Sequence, residues 1–300
     1  MSERHNMNYE SVTRIGDTCP SNLDDEHKDE HSDFLQTNQF SVVGASVRGK
    51  LHARSENHNH RDDAFAGYLD GNWLVIAVAD GAGSRDLSRY GAAYSVNAFC
   101  AAGIDELQLK SPNCQEVLRE IVLQAFKNTR AGLEQFCSQH GVKPEDLHCT
   151  LLGLILNTVT GEASVGQIGD GLILGLDSNG QARPLVEPPS PGEVGVSYFL
   201  TQSDWERYLS IKDLAKEEIT NLCTFYLMTD GVADDCQYGP PANILTLWAK
   251  DIDREIRSSS TTSLEAAAND LKAFLNTYKA QGSFDDRTLV IGYKEKRLQE

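Results

Sequence analysis

Several features that define common protein classes are missing from this chain. No apolar run approaches the roughly 18 residues that a membrane span needs, and the first residues, MSERHNMNYE, contain no apolar signal-peptide core. The seven cysteines are an odd number without a CxxC pair, which favours free thiols in a reducing compartment over disulfides or zinc. A GxxxxGKS/T phosphate loop, a GxSxG elbow and an HExxH zinc motif are also absent. We therefore expect a cytoplasmic protein.

Basic residues are scarce relative to acidic ones. The 300 residues include 27 Lys and Arg against 44 Asp and Glu, a formal net charge of -17. Such a surface repels nucleic-acid phosphates and anionic lipid, so neither is an expected partner. An acidic protein that handles a phosphorylated ligand needs local positive charge, and bound cations are one source of it. Hydrophobic residues make up 40% of the chain, which is enough for the substantial core of a globular monomer.

The first part of the chain differs in composition from the rest. Residues 1–37 contain the run NLDDEHKDEHSD and few apolar residues, a composition typical of segments that cannot offset the entropy of ordering. From Phe40 onward, apolar runs become frequent. We therefore predict a disordered acidic tail over 1–37 and a single domain over 38–296.

Strand-like runs and helical patterns alternate in the predicted domain without a regular βαβ rhythm. AFAGYL and NWLVIAVAD predict a hairpin that turns at Asp70-Gly71. Further predicted strands are FSVVGASV, CTLLGLILN, GEASVGQIGD, GLILGLDSNG, CTFYLMTD and RTLVIGY. Helical spacing occurs over 86–104, 114–139, 210–218, 241–254 and 263–279. This order favours antiparallel sheets with helices packed outside them, an α+β fold.

The most informative pattern is the recurrence of acidic residues at strand ends. Asp80-Gly81, Asp170-Gly171 and Asp230-Gly231 follow three apolar strands, while Asp62-Asp63 and Asp285-Asp286 directly precede two others. Carboxylates that converged from such positions would repel one another unless a cation lay between them. Oxygen-only ligands suit hard cations such as Mg²⁺ and Mn²⁺. Asp-Gly is also a common turn signal, so a single pair of this kind would carry little weight.

Taken together, these segments resemble a known family. AVADGAGS, VGQIGDG, LMTDGVADD and FDDRTLV, in this order, resemble the metal-dependent protein phosphatases of type 2C (the PPM class), and GASVRGKLHARSENHNHRDDAFAG is similar to the first motif of a bacterial subgroup. The resemblance covers residues 40–294. It implies two packed antiparallel β-sheets flanked by pairs of helices, an α-β-β-α sandwich. It also implies hydrolysis of phosphoserine or phosphothreonine in signalling proteins by a water activated at two Mn²⁺ or Mg²⁺ ions.

Site residues follow from the resemblance motif by motif. The implied metal ligands are Asp63, Asp80, the Gly81 carbonyl, Asp230 and Asp285, with Asp170 for a weaker third ion. The implied catalytic residues are Asp63, Asp80, Asp230 and Asp285. Asp286 falls where the family often has asparagine.

Two positions depart from the family pattern. The spacing places His52 where the family often has an arginine that binds substrate phosphate, so His52 is the expected phosphate-binding residue. Arg48, Arg54 and Arg61 are alternatives, and a plain surface role for His52 stays open. Ala82 stands where many members carry a histidine proposed as general acid, so the leaving group would take its proton from metal-bound water or another group.

These departures leave other functions open. One is a pseudophosphatase, which would bind a phosphorylated protein without turnover, and another is a small-molecule phosphatase on the same scaffold. The presence of every expected acid favours an enzyme acting on phosphoproteins, because a non-catalytic module has no need to confine so many like charges.

Overall fold

The computed structural model describes residues 11–50, 60–110, 115–187, 197–237, 243–277 and 284–295. The strands are β1 Thr13–Gly16, β2 Glu30–Gln36, β3 Phe40–Val47, β4 Ala64–Asp70, β5 Trp73–Ala79, β6 Leu151–Asn157, β7 Ala163–Ile168, β8 Leu172–Asp177, β9 Ala182–Pro184, β10 Ser210–Leu214, β11 Leu222–Met228 and β12 Arg287–Lys294. The α-helices are α1 Ser88–Lys110, α2 Gln115–His140, α3 Lys216–Asn221, α4 Asp230–Gln237, α5 Ile244–Ser260 and α6 Leu264–Thr277.

The strands form two six-stranded sheets. One has the order β1-β4-β5-β6-β7-β10 and the other β2-β3-β12-β11-β8-β9, and each pair of neighbours among the described strands is antiparallel. Helices α1 and α2 pack on the first sheet, and α5 and α6 pack on the second. The predicted α-β-β-α sandwich is confirmed, including the hairpin between β4 and β5.

The apolar runs of the sequence reflect strands that are buried on both faces. In β5, Leu74, Ile76 and Val78 face the layer between the sheets, while Val75 and Ala77 face the helices. Successive side chains of a strand point to opposite faces, so a strand covered on both sides is apolar throughout. The core therefore has three layers: one between the sheets and one under each group of helices.

The N-terminal region departs from the prediction. Strand β1 pairs with β4 at the edge of the first sheet, and β2 pairs with β3 at the edge of the second. The disordered tail predicted over 1–37 is therefore wrong for residues 11–36, while residues 1–10 lie outside the described residues. Edge strands tolerate a polar composition because one side of each stays exposed. In β2 only Leu35 is fully buried.

The short helix predicted over 210–218 is also partly wrong. Residues 210–214 form β10, which pairs with β7 at the edge of the first sheet, and α3 starts only at Lys216. Pairing with the sheet overrides the local helical spacing here.

Two other expectations can be compared with the described residues. The described cysteines are free thiols: Cys19, Cys100, Cys137, Cys149, Cys223 and Cys236. Cys114 lies outside the described part. Among the helices that the structure describes, each is too short or too polar to cross a bilayer.

The edge strand β2 yields a direct test of the N-terminal structure. Leu35 is 3% exposed between the sheets, whereas its neighbour Phe34 is 38% exposed. We expect Leu35→Ala to lower the free energy of unfolding by about 2–3 kcal/mol, because it leaves a cavity. The matched change Phe34→Ala should stay within about 0.5 kcal/mol of wild type. Urea unfolding measures both, and equal effects would indicate that residues 30–36 do not belong to the folded domain.

Candidate metal centre

Acidic residues from five strand ends meet at one end of the sandwich. Neighbouring antiparallel strands run in opposite directions, so the first residues of β4 and β12 lie beside the last residues of β5 and β11. Asp63 precedes β4 and Asp285 precedes β12, whereas Asp80, Asp170 and Asp230 follow β5, β7 and β11. Antiparallel strand direction therefore places these acids, which are distant in sequence, at the same end of the two sheets.

Three of these carboxylates approach one another closely. Oxygen atoms of Asp80, Asp170 and Asp230 all lie within 4.8 Å of one another. Asp170 is exposed and also accepts a hydrogen bond from the Ser197 hydroxyl. Asp63 and Asp285 are close enough for their charges to act on Asp80. The structure therefore brings three of the predicted acids within 4.8 Å of one another and places the other two near Asp80.

Asp63 is buried and held by two threonines. The hydroxyls of Thr229 and Thr288 each donate a hydrogen bond of 2.8 Å to its Oδ2. Its Oδ1 is buried and has no hydrogen-bond partner among the described residues. Burial, followed by the charge of nearby Asp286, raises the pKa of Asp63 well above its usual value. A buried carboxylate oxygen without a donor is costly, and a cation is a partner that would satisfy it.

Crowding perturbs the other carboxyl groups in the same direction. Burial raises the pKa of Asp80, and the charges of Asp230 and Asp63 raise it further. Burial and the charges of Asp170 and Asp285 raise the pKa of Asp230 to about 8. Divalent cations among these groups would favour their ionised forms and reverse the shifts. The donor set, which consists of carboxylate oxygens, fits Mg²⁺ or Mn²⁺.

Close backbone packing requires two of the glycines that follow the acids. A Cβ at Gly231 would lie 1.9 Å from the carbonyl oxygen of Asp286, and a Cβ at Gly81 would lie 2.7 Å from that of Asp62. A side chain at either position would push apart the turns that carry the neighbouring acids. These Asp-Gly pairs are therefore more than turn signals. The Gly81 carbonyl stays a predicted ligand.

Asp286 links the two acidic pairs that precede strands. One of its carboxylate oxygens accepts a hydrogen bond of 2.5 Å from the backbone N–H of Asp62, and the other accepts one of 2.6 Å from Gly49. These bonds join the segment before β4 to the segment before β12. Asp286 therefore fixes the positions of Asp63 and Asp285 relative to each other.

Residues 17–29, which we call the N-terminal strap, connect β1 to β2 beside this site. The fully buried Arg61 pairs with Asp17 at 2.5 Å, and its Nε donates to the Lys28 carbonyl at 3.0 Å. Asp17 also accepts a hydrogen bond of 3.0 Å from the Phe65 backbone. Burial raises the pKa of Asp17, but the Arg61 charge and a hydrogen-bonded histidine outweigh it and hold this pKa well below its usual value. The strap is thus an ordered part of the domain.

His27 brings the strap into contact with a predicted ligand. Its Nε2 lies 3.2 Å from the backbone carbonyl oxygen of Asp63. Burial and the Arg61 charge lower the pKa of His27 to about 4, so the ring is neutral at neutral pH. A carbonyl oxygen only accepts hydrogen bonds, which assigns the ring proton to Nε2.

The predicted phosphate-binding region is described only in part. His52 and Arg54 lie outside the described residues, and His52 stays a prediction. Arg61, one of the alternatives, is fully buried against the strap and cannot reach a substrate, so that alternative is wrong. Arg48 forms an ion pair of 3.1 Å with Asp29.

The sequence analysis did not identify the residues that hold Asp63, which are the two threonines that donate to its carboxylate and His27, which contacts its backbone carbonyl. Thr229 and Thr288 each lie next to or near a predicted acid, and a buried carboxylate needs donors, so this signal was available. The strap gave no local signal. His27 and Asp63 are 36 positions apart, and only the fold brings them together.

A sandwich of two antiparallel sheets with acidic metal-ligand candidates at one end defines the class of PPM-type phosphatases. The family model described as protein phosphatase 2C matches residues 48–276. The chain therefore belongs to the protein phosphatase 2C family. No curated protein matches it.

Solved structures share this fold. The serine-threonine phosphatase 2C from Toxoplasma gondii is 14% identical, with a TM-score of 0.55 over 88% of this chain and 99% of that one. The serine/threonine phosphatase of S. agalactiae is 12% identical, with a TM-score of 0.53 over 89% and 100%. The catalytic domain of the serine/threonine protein phosphatase PstP, in complex with two manganese ions, is 14% identical, with a TM-score of 0.51 over 85% and 98%. At 12–14% identity these likenesses show that the fold is shared.

The crowded carboxylates predict a stability effect in the metal-free protein. Asp230→Asn removes one charge but keeps the shape, so we expect it to raise the free energy of unfolding by about 1–3 kcal/mol at pH 8. The pKa of Asp230 is about 8 in the folded protein against an ordinary value of 3.8, so between these pH values the folded state binds more protons than the unfolded state. Wild type therefore gains stability from this group as pH falls, and the difference should approach zero near pH 4.

Urea unfolding in the presence of a chelator, at several pH values, measures this difference. Asp70→Asn is the matched control, because Asp70 also precedes a glycine but ends β4 at the opposite end of the hairpin. A metal-free Asp230→Asn protein that is less stable than wild type at pH 8 would contradict the electrostatic account.

Proposed function

We propose that this chain is a metal-dependent protein phosphatase that hydrolyses phosphoserine and phosphothreonine monoesters. The observation that carries the proposal is the convergence of five aspartates from five strand ends on one site. Confining these like charges costs stability. Cations that bind there would offset this cost, and membership of the phosphatase family supplies a reaction that uses them.

The proposed ligands share one type of donor atom, oxygen. They are Asp63, Asp80, the Gly81 carbonyl, Asp230 and Asp285 for two Mn²⁺ or Mg²⁺ ions, and Asp170 for a third. When bound, such ions lower the pKa of water enough to supply hydroxide near neutral pH, and they offset negative charge on the phosphoryl oxygens.

The protein's own contribution is to hold the ligands rigidly. Thr229 and Thr288 occupy one oxygen of Asp63 and leave the other for a cation. Asp286 and the two threonines lie on strands or at strand ends, so the acids have little freedom to move apart. Rigid placement of ligands is what efficient metal-assisted catalysis requires.

A covalent route through cysteine is disfavoured. Cys149 is the cysteine that lies opposite Gly81 in a β-bridge. It is fully buried, and burial raises its pKa to about 12, so its thiol stays protonated near neutral pH. Only the thiolate is an effective nucleophile. Direct attack by activated water therefore remains the proposed route.

Two further roles concern the contact to the substrate phosphate and the source of the leaving group's proton. His52 is proposed to contact the substrate phosphate. Ala82 has no proton to give, so the leaving alkoxide must receive its proton from another group.

We expect Mn²⁺-dependent release of phosphate from phosphoserine and phosphothreonine peptides, and its loss in a chelator. Asp80→Asn removes the charge of a proposed metal ligand and should lower kcat/KM by about a thousandfold or more, because no other group replaces it. Asp70→Asn, the strand-end control at the other end of the same hairpin, should retain wild-type turnover. Phosphate release and circular dichroism on all three proteins test this.

The same assay separates the competing functions. Binding of a phosphopeptide without turnover by wild type would indicate a pseudophosphatase, and turnover of small phosphates alone would indicate a small-molecule phosphatase. Full activity of Asp80→Asn would overturn the assignment of the site.

A further inference from the structure

The N-terminal strap crosses from one sheet to the other at the end that carries the acids. It starts directly after β1, in the first sheet, and ends directly before β2, in the second. Both strands lie at the edges of their sheets. The strap is therefore anchored at each end by backbone pairing, and its two ends contact residues 61–65, through Asp17 at one end and through His27 and Lys28 at the other.

Three sets of contacts fasten the strap there. Asp17 pairs with Arg61 and accepts the Phe65 N–H, and the Lys28 carbonyl accepts from Arg61. The Asp29 carbonyl accepts a hydrogen bond of 2.9 Å from the backbone N–H of Arg48. The contacts to Arg61 and Phe65 lie on either side of Asp63 in the sequence, and the contact to Arg48 ties the strap to the end of β3.

Within the strap, His27 alone contacts Asp63 among the described hydrogen bonds. Its Nε2–H donates to the Asp63 carbonyl at 3.2 Å, whereas the two threonines contact the Asp63 carboxylate. Fixing a carboxylate requires both its side chain and its backbone to be held. The threonines hold the carboxylate of Asp63, and His27 holds its backbone carbonyl.

We propose that His27 is a positioning residue for the metal centre, through which the N-terminal strap sets the affinity of the site for its cation. The proposal rests on the proposed metal-dependent function. Groups that orient a metal ligand without touching the metal typically change affinity tenfold or more when removed. Because His27 holds the backbone and not the carboxylate, the lower end of that range is expected.

The test is a Mn²⁺ titration of the full-length protein, in which electron paramagnetic resonance detects the free ion. His27→Ala removes the donor and should raise the Mn²⁺ dissociation constant roughly tenfold. His27→Gln places an amide N–H near the position of Nε2 and should stay within about threefold of wild type. Glu26→Ala, an exposed neighbour in the strap, is the control and should bind as wild type does. At saturating Mn²⁺, the kcat of His27→Ala should return to within about twofold of wild type, because only the affinity is altered.

The outcomes distinguish the possible failures. Wild-type protein that binds no Mn²⁺ would overturn the proposed function, and this inference with it. Mn²⁺ binding by wild type and equally by His27→Ala would overturn the inference alone. Weakened binding in both His27→Ala and His27→Gln, with equal losses in metal-free melting temperature, would show a purely structural role. Should His27→Ala not fold, His27→Asn replaces it, since its shorter side chain moves the donor away from the Asp63 carbonyl, and unchanged affinity in that variant would overturn the inference.

Discussion

Mutual repulsion among buried and half-buried carboxylates is the constraint on which this structure depends. Asp63, Asp80 and Asp230 all have raised pKa values, because burial and neighbouring negative charges disfavour their ionised forms. Left to themselves, such groups would move apart or take up protons. The two sheets prevent the acids from moving apart, because each acid is attached to the end of a strand that is buried in the core. The fold thus holds together a cluster that is unfavourable without a counter-charge.

Much of this arrangement could be predicted from the sequence, because strong local signals coincide. LVIAVA is apolar throughout since both faces of β5 are covered, and the acid that follows it marks the point where the strand leaves the core. Antiparallel pairing then fixes which strand starts lie beside which strand ends. Burial and the β4–β5 hairpin account for Asp63 and Asp80 lying at the same end of the sandwich, whereas their prediction as metal ligands came from the resemblance to the family.

The parts that could not be predicted depend on distant partners. Residues 11–36 have the composition of a disordered segment, yet β1 and β2 gain their order from pairing with β4 and β3. Their few apolar residues, such as Ile15 and Leu35, suffice because each strand covers only an edge of the core. Arg61 is a candidate for substrate phosphate in the sequence because it lies in the first motif. Its buried partner, Asp17, lies 44 positions away, so no local pattern reveals the pair. Composition and periodicity contain no information about such pairs.

The placement of positive charge follows from the same constraint. Arg61 lies two positions before Asp63, and a guanidinium facing the acids would compete with cations for them. Asp17 instead takes up this charge in a buried ion pair, which also satisfies the need of a buried arginine for a partner. Among the described residues, the side chains that hydrogen-bond to Asp63 are neutral: two threonine hydroxyls and the imidazole of His27. The chain therefore positions Asp63 with hydrogen bonds from neutral donors, and the negative charge of the site stays available for metal ions.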